Sequence, residues 1–146
     1  MKVAIGADHR GFDLKESIKK NFTTMEISWI DVGSNSTERS DYPDFAKLVA
    51  KEIQHGQADV GILLCGTGIG MSIVANRFKG IYAGLAWNKT VAKLNKEHDN
   101  VNLLVLPADF ISEQQAIEMI SVWFKAQFLG GRYQDRIEKI DALNGI

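Results

Sequence analysis

Cys65 and the five residues after it, Gly66-Thr67-Gly68-Ile69-Gly70, are the densest chemical signal in the chain. A thiol closing an apolar run, followed by alternate glycines, sets a nucleophile or base beside a turn whose backbone N–H groups lie uncovered. Where a helix is about to begin, such a loop can hold an anion or stabilise negative charge developing on a substrate oxygen. The same helix terminus would lower the Cys65 thiol towards thiolate. The competing reading is a buried structural cysteine before a tight turn, since free cysteine is commonly buried. The glycine spacing is not the dinucleotide fingerprint, because the third glycine comes too early, and Gly6-Ala7-Asp8-His9-Arg10-Gly11 is no better match.

Other residues could act with this loop. His9 and His98 each neighbour acids and could titrate near neutrality, or could serve as hydrogen-bonded structural histidines. His55 stands beside Gly56, where a histidine complements a helix end, and it receives no catalytic role. Arg132 and Arg136 are four apart, so on a helix they share a face and could grip a phosphate dianion; the alternative is a solvated face. Trp29, Trp123, Phe124 and Phe128 fall on apolar faces and read as core or subunit contact rather than base-stacking groups.

The elements that must position these residues follow from hydrophobic period. Strand-length apolar runs alternate with helix-period segments from end to end, the pattern of a parallel sheet wrapped by crossover helices. Val3-Ala4-Ile5 begins a strand, and Leu14, Ile18 and Phe22 recur as one helix face. Residues 27–32 form the second strand, followed by the turn-rich Gly33-Ser34-Asn35-Ser36-Thr37. Pro43 suits the first turn of a helix that turns Phe45, Leu48, Val49 and Ile53 inward and stops near His55-Gly56. Residues 60–65 read as a central strand buried on both faces. Residues 81–86 and 102–106 supply the fourth and fifth strands around a short helix. Ser112-Glu113-Gln114-Gln115 opens a long helix with a capping-box pattern, and a last helix follows Gly130-Gly131. The expected fold class is α/β, a three-layer Rossmann-like fold with a five-stranded parallel sheet flanked by helices. In such a sheet ligands bind outside the carboxyl ends of strands, which singles out Asp8, His9, Cys65 to Gly70, Trp87 and Pro107.

Composition narrows the class further. The 146 residues suit one domain spanning 1–146, with no repeat or linker. Lysine plus arginine total 17 against 18 acids, a balance without the one-signed field of a nucleic-acid or anionic-membrane binder. One cysteine and three scattered histidines make neither an internal disulfide nor a structural zinc site. The first apolar run meets Asp8, His9 and Arg10 too soon for a signal or membrane span, so the reading is cytoplasmic.

Taken in order, Ala7-Asp8-His9, Asp41-Tyr42-Pro43, Cys65-Gly66-Thr67-Gly68-Ile69-Gly70, Glu97-His98 and Gly130-Gly131-Arg132 resemble the type B ribose-5-phosphate isomerases over almost the whole chain. The resemblance implies an aldose–ketose isomerase that needs neither metal nor organic cofactor. By it, Cys65 carries a proton between C2 and C1 through an enediolate, and the Gly66, Gly68, Ile69 and Gly70 loop stabilises the enediolate oxygen. His98, with Thr67 and Asp8, would open the cyclic sugar; His9, Arg132 and Arg136 would clasp the phosphate; Tyr42 would line the sugar pocket. It also implies a homodimer, or a pair of dimers, in which the His98 segment of one copy completes the site holding Cys65 of the other.

Four positions depart from the family pattern. Asp99 stands where asparagine is usual, Asp109 where many relatives carry an arginine, Tyr133 where a histidine is usual, and Trp87 where smaller or more polar residues are common. A carboxylate at position 99 facing an enediolate would oppose its charge, unless it points away or Asn100 substitutes. Substrate identity therefore stays open between ribose 5-phosphate and a six-carbon ester such as allose or galactose 6-phosphate. A sugar-phosphate-binding regulatory protein without turnover is the alternative from another class.

Overall fold

The apolar runs become five strands, the central ones buried on both faces, and the segments between them fold as crossover helices. A computed structural model describes residues 1–23 and 26–143. The order is β1 (Lys2–Ala7), α1 (Phe12–Asn21), β2 (Ser28–Asp31), α2 (Tyr42–Gln54), β3 (Val60–Cys65), α3 (Ile69–Ala75), β4 (Ala83–Leu85), α4 (Lys89–Asp99), β5 (Leu103–Pro107), α5 (Glu113–Lys125) and α6 (Arg132–Asp141). All strand pairs are parallel, in the spatial order β2-β1-β3-β5-β4. This is the expected α/β fold. Strand order reverses between β1 and β3, so Ala7 and Cys65 end on either side of the crevice where such sheets bind ligands.

Alternate residues of the central strands feed two cores. Ile62, Leu64, Leu104 and Leu106 pack with Ile18, Ala92, Met119, Ile120 and Trp123 on the side of α1, α4 and α5. Leu63, Cys65, Leu103 and Val105 pack with Val49, Ala50, Met71 and Ala75 on the side of α2 and α3. Cys65 thus points towards the two helices that flank the crevice. Of the four named aromatic residues, Trp123 lies in the first core and Trp29 and Phe124 pack against it, whereas Phe128 follows the end of α5 and lies on no helix or strand face.

Local signals held in most places and failed in three. Pro43 lies in the first turn of α2, and Ser112 and Gln115 form the reciprocal capping box of α5. Leu48, however, is exposed; α2 turns the smaller Ala46 and Ala50 inward, because only short side chains let it approach the sheet closely. The fourth strand is cut to residues 83–85, since Ile81 N–H closes a turn onto Phe78 O instead of joining the ladder, and the fifth runs one residue later than expected. Lys15 is fully buried rather than solvated. Its Nζ donates to both Asp31 oxygens (2.9 and 2.7 Å) and to Glu16 (2.9 Å), and lies 5.3 Å from the centre of the Phe12 ring. An ion cluster thus closes this part of α1 against the end of β2.

Candidate active site

The crevice is built from the ends of β1, β3 and β5. Asp8 is buried, and its Oδ1 accepts the N–H groups of Arg10 (3.0 Å) and Gly11 (3.2 Å), so the turn after β1 is fixed by its own carboxylate. His9 is clasped by Ser40: its backbone N–H donates to Ser40 Oγ (3.1 Å), and its Nδ1 accepts Ser40 N–H (3.2 Å). Nδ1 therefore carries no proton in this arrangement, and the ring N–H is at Nε2. Ser40 escaped the sequence reading because nothing local links it to a residue 31 positions away.

Each glycine of the loop after β3 answers a different neighbour. Gly68 has φ +75°, and a Cβ there would come within 2.5 Å of Leu85 Cδ1. A Cβ on Gly70 would sit 2.8 Å from the Tyr42 hydroxyl oxygen and closer still to its ring, so Tyr42, from the first turn of α2, covers the start of α3. A Cβ on Gly66 would meet Asp109 Oδ2 at 2.7 Å and Arg10 Nε at 3.0 Å. Arg10 and Asp109 form an ion pair of 2.5 Å directly above this glycine.

The loop folds its N–H groups back onto Cys65. Gly68 N–H donates to Sγ at 3.1 Å, and the N–H groups of Met71 and Thr67 also favour the charged sulfur. Burial nevertheless dominates, with the Asp8 charge adding to it, and together they push the Cys65 thiol above its ordinary value. The expectation that the helix start lowers it is corrected: α3 is seven residues long, and desolvation outweighs its few N–H groups. Thr67 is exposed, with Oγ1 accepting Ile69 N–H at 3.2 Å, while Ile69 projects into solvent.

A second cluster forms elsewhere in the chain. The His98 and Tyr133 rings stack at 4.3 Å with 8° between planes, and Arg132 and Arg136 lie 5.1 and 5.7 Å from the Tyr133 ring. The two arginines do share a face, as their spacing requires. These residues are not brought to Cys65 within one chain. Helix α4 starts beside the carboxyl end of β4, and His98 is next to its last residue, just before β5 enters the sheet at Leu103. Cys65 pairs with Pro107 at the other end of β5, four residues or about 13 Å along the strand. Asp99 lines a cavity of about 730 Å³ together with Asn76, Tyr82 and Asp141, and Cys65 is not among the residues of that cavity. Among the described residues, no group of three His, Cys, Asp or Glu side chains could hold a metal ion.

Fold and crevice define an α/β enzyme of the kind that works at a sheet switch point, and comparison with known proteins gives the family. The ribose/galactose isomerase family profile matches residues 3–140. Ribose-5-phosphate isomerase B of Escherichia coli is 40% identical over 142 residues, 97% of this chain and 95% of that protein. The crystal structure of a ribose 5-phosphate isomerase from Thermotoga maritima superposes with a TM-score of 0.95 at 45% identity, covering 97% of this chain and 98% of that one. The Mycoplasma genitalium enzyme, solved with bound ribulose-5-phosphate, gives 0.91 at 39% identity over 96% of this chain and 93% of that one. The chain belongs to the ribose/galactose isomerase family.

Proposed function

We propose that the chain interconverts D-ribose 5-phosphate and D-ribulose 5-phosphate through an enediolate. The observation that carries this reading is the near-complete superposition on a relative solved with ribulose-5-phosphate, combined with a thiol and its glycine loop at the switch point of the sheet. In the forward direction the Cys65 thiolate takes the C2 proton, and the electron pair forms the C1–C2 double bond while charge moves to O1. The O2–H proton then passes to O1, the thiol returns its proton to C1, and the C2 carbonyl forms. Gly66, Gly68, Ile69 and Gly70 line the developing oxyanion, and Thr67 places its hydroxyl beside them. Tyr42 bounds the sugar, Asp8 holds the β1 turn, and the His9 Nε2–H faces the phosphate.

The remaining groups come from a second copy of the chain. His98, with Thr67 and Asp8 of the first copy, would open the cyclic sugar, Asp99 would contact the substrate, and Arg132 and Arg136 would complete the phosphate grip, in a homodimer or a pair of dimers. Support comes from the separation of the two clusters and from Ile69, Ile73, Trp87 and Phe110, four large apolar residues exposed around the Cys65 end of the sheet. Among the described residues no helix is long and apolar enough to cross a membrane. We place the enzyme in the cytoplasm, where its one cysteine stays a free thiol.

Purified protein stripped of metal is assayed with ribose 5-phosphate, and with allose and galactose 6-phosphates alongside. Preferential ribose 5-phosphate turnover is expected. A six-carbon preference would overturn the substrate, and saturable binding without turnover would overturn the enzymatic reading.

A further inference from the structure

We propose that Arg10 is a substrate-contacting residue of this site, its guanidinium aimed by Asp109 at the anionic end of the substrate. The proposal deepens the sugar-phosphate reading and rests on it. Three chain segments converge to set this guanidinium. Arg10 follows β1, and its backbone is fixed by the Asp8 carboxylate (3.0 Å). Asp109 follows β5, and its backbone N–H donates to Gly66 O (3.0 Å). The ion pair between them, 2.5 Å from Nη2 to Oδ2, lies where any side chain on Gly66 would have to go, one residue from Cys65. A glycine with ordinary φ is needed at position 66 for this reason: it admits the pair.

Stability does not account for the arrangement. The Arg10 side chain is 59% exposed, and exposed pairs contribute little to folding. Asp109 meets one nitrogen of a planar fork with five N–H donors, so the pair orients the guanidinium and leaves donors to spare. Until a second copy brings Arg132 and Arg136, the phosphate would otherwise find little charge on the Cys65-bearing chain. His9 offers only the neutral Nε2–H while Ser40 donates to its Nδ1, and Arg132 and Arg136 lie with the second cluster. Arg10 is thus the guanidinium that the Cys65-bearing chain itself brings to the loop, and a dianion requires such charge.

The test compares wild type, Arg10→Ala, Arg10→Lys, Asp109→Ala and the Arg10→Ala/Asp109→Ala double variant. Each is measured for kcat and KM with ribose 5-phosphate, and for inorganic phosphate binding by titration calorimetry. In Arg10→Ala both KM and the phosphate dissociation constant should rise about tenfold, with kcat within about threefold of wild type. Arg10→Lys should recover part of the loss, because it restores charge without the fork. In the Asp109→Ala background, removing Arg10 should cost less than about threefold, since an unaimed guanidinium has little to lose. Unchanged phosphate binding in Arg10→Ala, or no phosphate binding by wild type, overturns the proposal. A loss confined to kcat or to thermal stability overturns it as well. If wild type turns over no ribose 5-phosphate, the substrate reading fails, and the calorimetric comparison still decides Arg10.

Discussion

Cys65 holds two opposed influences at one atom. Its Sγ receives backbone N–H groups that favour thiolate, yet burial and the Asp8 charge prevail and raise the thiol. Alkylation of the free protein by iodoacetamide should therefore be slower than that of a small free thiol at neutral pH, and should accelerate as pH rises. The base form is the deprotonated one, so kcat/KM should climb through the same ionisation, on the alkaline side of an ordinary thiol. Cys65→Ser should lower kcat by about 10²- to 10⁴-fold with melting temperature nearly unchanged, because serine fits the same space. Near-normal turnover by that variant would sink Cys65 as base.

At the scale of elements, the site depends on how closely α2, α3 and the β2 end are seated. Gly70→Ala drives a methyl into Tyr42, so α2 and α3 must part or the ring must swing out; a loss of about 1–3 kcal/mol is expected in chemical denaturation. The loss should shrink in the Gly70→Ala/Tyr42→Ala pair, since the two residues share one contact. The Lys15 cluster ties α1 to β2 and to the loop carrying Ser40. Burial acts to raise the Asp31 carboxyl, but hydrogen bonds from Lys15, Lys19 and Gly33 N–H outweigh it and hold Asp31 below the usual carboxylate range. A depressed carboxylate contributes stability that is present above its unfolded value and lost as pH falls through the folded one. Asp31→Ala should thus destabilise by about 1–3 kcal/mol near neutrality, where it leaves the buried Lys15 charge with Glu16 as its carboxylate partner. The gap from wild type should narrow in acid. A pH-independent difference in urea midpoint would contradict this account.

The whole molecule poses a problem that one chain does not solve, because Cys65 and His98 lie at opposite ends of the sheet. If a second copy brings His98 to Cys65, Cys65→Ser and His98→Ala proteins should each be nearly inactive but should complement when mixed and allowed to exchange subunits. Half of the dimers would then be mixed, each with one intact site of two, so roughly a quarter of wild-type activity should return. No recovery, with exchange demonstrated by mass spectrometry, would place both residues in one chain's site or remove one from it.

Much of this was legible from the residues alone. The alternation of apolar runs and helical periods determined the parallel α/β fold, since period and length are properties of the local chain. That Asp8, His9 and the Cys65–Gly70 loop stand at the carboxyl ends of strands was readable because the strands themselves were, and such ends are where these sheets bind ligands. Tertiary structure decided what depends on distance between remote segments. Ser40 against His9, Tyr42 against Gly70, and Arg10 with Asp109 above Gly66 join residues tens of positions apart, which no local period records. The direction of the Cys65 shift also waited on the fold, because motif and spacing report the N–H groups near a thiol, whereas desolvation depends on everything packed around it.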